Sequence, residues 1–239
     1  MFQDFYDDFL SAAGAMPDEF KTEERAEKYF AHLTELDEKG KLFNLTAITE
    51  RKETTRLHVV DSLFAAKTIE ELTGGEDATV VDVGSGAGFP ALPIAIACGN
   101  ARVTALDSTA KKCAFIEATA KKCGVAVSTV SKRAEEASEL REKFDIAVAR
   151  AVARLNILAE FCAPLVKVDG YFVAMKGSSA GEEADEASGA AAKLGLTFVR
   201  AEKYTVDGGG DRSILVYKKT SPTPAEFPRR YSQIKKKPL

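Results

Sequence analysis

The sequence predicts an α/β fold: a doubly wound, mostly parallel sheet that ends in an antiparallel hairpin, preceded by an N-terminal helical extension. Three observations lead there. Helical periodicity dominates up to about residue 75, and from residue 79 short β-rich runs alternate with helical ones. Strands separated by helices need parallel crossovers that cover both sheet faces. The last two β-rich runs are joined only by "DGGGDR", a link that suits a hairpin.

The elements follow in order. Phe2, Phe5, Phe9 and Leu10 recur at helical spacing, as do Tyr29, Phe30, Leu33 and Leu36. "KGKLFNLTAITE" breaks the pattern, and its Gly40 and Asn44 suit a turn. "HVVDSLFAAKTIEEL" is amphipathic again and runs to Gly74 and Gly75, a C-cap. "TVVDVG" reads as the first buried strand, then "PALPIAIACG" as helix, "RVTALD" as strand and "AKKCAFIEATAKKCG" as helix. "VAVSTVSKR", "FDIAVARA" and "GYFVAMKG" supply three more strands, and "GSSAGEEADEASGAAAKLG" a polar loop entering a surface helix. "LTFVRAEKYTV" and "SILVYKK" form the hairpin. The chain thus divides into a helical region (1–75), a sheet domain (76–219) and a basic tail (220–239).

The composition is that of a globular protein, with 45% hydrophobic and 29% charged residues in 239. The start is acidic and no apolar run approaches a membrane span, so a cytoplasmic protein is expected. Cys98, Cys113, Cys123 and Cys162 form no CxxC pair, and with only two histidines no metal site is expected. Buried free thiols are the expected state. Net charge is −3, unevenly spread. Residues 1–72 hold 9 Lys and Arg against 16 Asp and Glu, whereas 218–239 hold 7 against Glu226 alone. The tail "FPRRYSQIKKKPL" fits a solvated end or an arm that contacts phosphates.

"VVDVGSGAGFPALPIAIA" bares backbone at Gly84, Gly86 and Gly88 between a strand and a helix. In the dinucleotide fingerprint GxGxxG, the third glycine would fall at Phe89, so that pattern fails. A phosphate-free cofactor, S-adenosyl-L-methionine, needs only close backbone approach there. Asp107 ends the next strand, where a carboxylate accepts hydrogen bonds from ribose hydroxyls or merely caps a helix. After the third strand, Ala134 and Glu135 stand where an adenine edge would lie; Glu135 also suits a helical first turn. A doubly wound sheet closed by a hairpin is the Rossmann-like architecture of the class I methyltransferases.

The ordered set "NLTAI", "HVVDSL", "DVGSGAGFP", "FDIAVARAVARL", "VAMKG" and "KKKPL" resembles the bacterial 16S rRNA guanine-N7 methyltransferase family, the glucose-inhibited division protein B family. The resemblance runs from about residue 40 to the C-terminus. It implies an S-adenosylmethionine-dependent enzyme acting on N7 of a guanosine in 16S ribosomal RNA, near the decoding region. It also implies a cofactor site of Gly84 and Phe89 with Asp107, Ser108, Thr109, Ala134, Glu135 and Arg150, and Gly86 belongs to the same loop. Two positions depart from the family: Ala91, where members continue with glycine, and the tail, which lacks a glycine between its arginines and lysines.

Guanine N7 bears a lone pair and no proton, so no general base is needed. Positioning alone supplies up to roughly 7–11 kcal/mol in such reactions. Arg150 follows the fourth strand at the ligand-binding edge, where it would orient cofactor or RNA. His58 and Asp61 either face the same cleft with Asn44 and Thr46 or form a helix-surface pair. Arg133, Lys176, Arg229 and Arg230 are candidate phosphate contacts. The expected partner is 16S rRNA or the small ribosomal subunit, with no membrane, and a monomer is expected. A nicotinamide oxidoreductase is the alternative enzyme, opposed by Phe89, the hairpin and the lack of a Tyr-Lys or His constellation. A non-catalytic RNA-binding or assembly module is the alternative without chemistry.

Overall fold

The computed structural model describes residues 1–43, 48 and 50–239. Asn44 and Thr46 lie outside the described residues. Seven strands form one sheet in the order β3-β2-β1-β4-β5-β7-β6, where β1 is Ala78–Val83, β2 Ala101–Leu106, β3 Val127–Val130, β4 Phe144–Arg150, β5 Val166–Lys176, β6 Leu196–Val206 and β7 Gly210–Lys219. The first five are parallel, and β7 runs antiparallel between β5 and β6. Successive strand residues point to opposite faces, and two apolar clusters result. Val80, Val103 and Ile146 face one way, whereas Val81, Leu106 and Ala147 face the other.

The first face is covered by α1 (Phe2–Ala12), α2 (Glu23–Phe43), α4 (Asp61–Thr73), α5 (Ala91–Ala97) and α6 (Ala110–Cys123). Phe9, Tyr29 and Leu33 are fully buried in the same cluster as Leu92 and Ile116. The second face is covered by α7 (Leu155–Cys162), α8 (Ala180–Lys193) and the short α9 (Tyr231–Lys236). All four cysteines are buried and unbridged.

Three expectations are corrected. Helix α2 runs through Gly40, so no turn interrupts it there. The next helix begins before His58: α3 (Arg51–Thr54) leads into a π-helical turn, Thr55–Val60, which continues as α4 and ends at a left-handed Gly74. Its first turns are too charged to show an apolar stripe. The tail, finally, is not a solvated end but packs on the domain. Ile234 is fully buried in the second cluster. The buried Lys219 amine donates to Ala163 O at 2.6 Å, and Arg141 Nη1 to Phe227 O at 2.8 Å.

Candidate functional site

The parallel register puts Val83 beside Leu106 and Leu106 beside Val130. Residues just after these strands therefore share one edge, the place where open α/β sheets bind ligands. Gly84 follows β1 with φ +80°, and a Cβ there would stand 2.5 Å from Val152 Cγ2. Gly88 has φ +86°, and its Cβ would meet Leu92 Cδ1 at 2.6 Å. Left-handed backbone and missing space both demand glycine at these two positions.

Two carboxylates hold this loop. Asp82, fully buried at the end of β1, accepts from Ala91 N at 3.1 Å through Oδ2. Its Oδ1 has no hydrogen-bond partner among the described residues, and burial raises its pKa to about 7. Asp107 accepts from Gly86 N at 3.0 Å and from Thr109 N at 2.9 Å. It is therefore a cap and a brace for the glycine loop as well as a wall residue.

Above the loop lies a cavity of about 350 Å³. Val83, Gly84 and Leu106 line it from the sheet, with Asp107, Ser108, Thr109 and Lys112 beyond β2. Lys132, Arg133, Ala134 and Glu135 line it beyond β3, and Ala151–Ala153 beyond β4. Ile157 and Phe161 come from α7, and Tyr231 and Lys235 from α9. Gly84, Asp107, Ser108, Thr109, Ala134 and Glu135 are thus brought together as expected, with Arg133 beside them.

Gly86 and Phe89 are not on this wall. Phe89 is a core residue, its ring 4.3 Å from that of His32 and 4.8 Å from that of His58, with the Arg150 guanidinium 5.7 Å from its centre. That packing sets its side chain beneath the glycine loop rather than in the lining of the cavity. The residues fit an adenosyl cofactor. Asp107 keeps spare lone pairs at the cavity wall, and Glu135 Oε1 is buried without a hydrogen bond among the described residues, with Arg133 Nη1 3.5 Å away. Val83, Leu106, Ile157 and Phe161 supply the apolar surface.

Arg150 stands apart from the lining of the first cavity. It lines a second cavity of about 340 Å³, which shares only Ala151–Ala153 with the first. Its Nη1 donates to Asp61 Oδ2 and to Leu57 O, both at 2.9 Å, and its Nη2 lies 3.4 Å from His58 Nδ1. The guanidinium is committed to the helical region and does not reach the first cavity. Asp61, its side chain 1% exposed, also accepts from Tyr204 Oη at 2.9 Å and pairs with Arg212 Nε at 3.6 Å. Asp61 is buried and lines the second cavity, whereas His58 is half-buried and is not part of that lining; both meet the Arg150 guanidinium. Burial, and then the Arg150 charge, lower the His58 pKa to about 4, so its ring is neutral at neutral pH. Tyr204 and Arg212, both on the hairpin, had no spacing signal that could have found them.

Two candidate phosphate contacts are consumed by the fold. Lys176 Nζ donates to Ala153 O at 2.6 Å and pairs with Glu183 at 2.8 Å. Arg229 grips the fully buried Glu160: its backbone N and Nε reach Oε1 at 2.9 Å, and Nη2 reaches Oε2 at 2.6 Å. Arg133 and Arg230 remain exposed. Ala151, between the cavities, holds φ +56°, a left-handed conformation that costs a non-glycine residue about 1–2 kcal/mol.

The family model described as rRNA small subunit methyltransferase G matches residues 22–214. A ribosomal RNA small subunit methyltransferase G of Lactobacillus johnsonii is 41% identical over 226 residues, covering 92% of this chain and 94% of that protein. The protein of the same name from Caldicellulosiruptor bescii is 42% identical over 207 residues, covering 84% and 87%. Among solved structures, the 1,6-didemethyltoxoflavin-N1-methyltransferase of Burkholderia thailandensis, bound to S-adenosylhomocysteine, superposes with a TM-score of 0.56. That match is at 17% identity, over 81% of this chain and 90% of the other, and speaks for the fold alone.

Proposed function

The chain belongs to the rRNA small subunit methyltransferase G family, and on that premise we propose that it methylates N7 of a guanosine in 16S ribosomal RNA, near the decoding region, with S-adenosylmethionine as methyl donor. One observation carries the reading: two cavities of similar size meet at Ala151–Ala153 on the carboxyl edge of the sheet. The first has the acceptors and apolar surface for an adenosyl group. The second is lined by Arg150, Arg212, Tyr204 and Asp61, a polar set suited to a purine edge.

When bound, S-adenosylmethionine supplies a methyl group activated by its sulfonium. The residues of this chain bind and orient. Asp107 and Glu135 accept hydrogen bonds from the cofactor's sugar and base, and the glycine loop admits its close approach. Arg150, locked by Asp61 and the Leu57 carbonyl, gives the second cavity a fixed cation. Guanine N7 has no proton to lose, so His58, neutral and half-buried, is not required as a base. The 16S RNA or the small subunit is the partner, met in the cytoplasm by a monomer. Among the described residues no helix is long and apolar enough to cross a membrane.

The test is to incubate the purified protein with small-subunit RNA and cofactor carrying a labelled methyl group, and to map the label. A single labelled guanosine, lost on depurination of 7-methylguanine, is the expected result. Label on an exocyclic amine or a ribose would overturn the N7 assignment.

A further inference from the structure

We propose that the C-terminal segment is part of the cofactor site, with Tyr231 as the aromatic surface against which the adenine ring packs. The inference rests on the reading of the first cavity as the S-adenosylmethionine site. Tyr231 lines that cavity together with Ala134 and Glu135. Its ring is 6.5 Å from that of Phe161 and nearly parallel to it, at 23°. The Arg133 guanidinium lies 4.7 Å from its centre on a side chain 47% exposed. The cavity thus carries an aromatic pair from α7 and α9 beside Glu135, whose Oε1 has no hydrogen bond among the described residues.

The residue is 42% exposed, yet it is held on both sides. Two residues before it, Arg229 is clamped by Glu160; three residues after it, Ile234 is fully buried. Anchoring an exposed aromatic over a polar cavity prepares a stacking platform with little ordering left to do on binding. Every base has a π-face, so such a platform recognises the ring while Glu135 accepts from its edge. Arg133, on an exposed side chain, gives up that face of Tyr231 when a base takes its place.

Calorimetric titration of full-length wild type, Tyr231→Ala and Tyr231→Phe with S-adenosylmethionine, and separately with adenosine, tests this. Stacking on an aromatic side chain corresponds to roughly 5- to 150-fold in affinity. Tyr231→Ala is expected to weaken both ligands about tenfold with an unchanged melting temperature, while Tyr231→Phe binds like wild type. RNA affinity, read at saturating cofactor, is expected to stay the same. Equal cofactor affinity in Tyr231→Ala and wild type overturns the proposal, as does a loss confined to RNA affinity. Wild type that binds cofactor but leaves 16S RNA unmethylated sinks the proposed reaction and not this contact.

Discussion

Replacing Arg229 by alanine removes the side chain that holds the tail against α7. Glu160 is wholly buried and Arg229 only 21% exposed, so the pair lies in a poorly solvated environment. Breaking one side of such a pair costs about 3–5 kcal/mol, because the remaining charge has no counter-ion. The backbone amide of residue 229 still donates to Oε1, at 2.9 Å, which puts the expected loss near the lower end, about 3 kcal/mol. For a chain of this size that is a fall in melting temperature of about 6–12 °C. If the tail detaches and Glu160 hydrates, the loss is capped by the docking energy of the tail, and proteolysis beyond Lys219 then reports it. Glu160→Gln in the Arg229→Ala background is expected to recover part of the loss, since it removes the orphaned charge. The assay is chemical denaturation and limited proteolysis of the four combinations. An Arg229→Ala protein that melts like wild type but binds RNA more weakly, with a flatter salt dependence, would refute the reasoning and restore Arg229 as a phosphate contact.

Asp107→Ala is expected to weaken S-adenosylmethionine binding at least tenfold in calorimetry. It should also lower thermal stability, because Gly86 N and Thr109 N lose their acceptor; unchanged affinity would leave Asp107 as a brace only. Arg150→Ala is expected to abolish methyl transfer and destabilise the fold by about 3 kcal/mol, since Asp61 is then left, among the described residues, with Tyr204 and Arg212. Cofactor affinity should remain, and a calorimetric loss of it would put Arg150 back in the first cavity. Burial lowers both His32 and His58 to about 4. A depressed folded pKa means the unfolded chain binds the extra proton, so stability is full above pH 6.5 and falls as pH drops from 6.5 towards 4. At about 1.36 kcal/mol per unit this is up to about 3 kcal/mol for each histidine. Asp82 acts oppositely: burial raises it to about 7, so its contribution is full below pH 3.8 and lost as pH rises to 7. Asp82→Asn should therefore stabilise the protein at pH 8 more than at pH 5 in denaturant titrations, and an equal effect at both would contradict a neutral Asp82.

The alternation of strands and helices was readable because buried parallel strands are short apolar runs and helices keep a 3.6-residue stripe. The observed β6 has the bounds expected for it, and the end of α4 at Gly74 was marked by the only residue type at ease in that backbone. Gly84, Asp107 and Glu135 were findable because strand ends in a doubly wound sheet converge on one edge, so position along the chain implies position in space. Arg150 obeys the same rule, but the direction of its side chain depends on Asp61, 89 residues earlier. Charge counting missed the packing of the tail for a related reason. It treats Arg229 and Lys219 as solvated, whereas their acceptors, Glu160 and Ala163 O, sit on another element. Ile234, a lone apolar residue among lysines, was the one local hint that this stretch is packed.

The separations recorded at Asp61 bear on how the protein forms. Its partners Arg150 and Tyr204 are 89 and 143 residues away in the chain, so its hydrogen bonds close only when the π-helical turn, the sheet centre and the hairpin have all met. Contacts of such long range carry a large loop-closure penalty and form late. The brace from Asp107 to Gly86 spans 21 residues and one βαβ unit. A refolding chain should therefore regain the adenosyl half of the site while the other cavity is still open, and gain cofactor affinity before it gains activity.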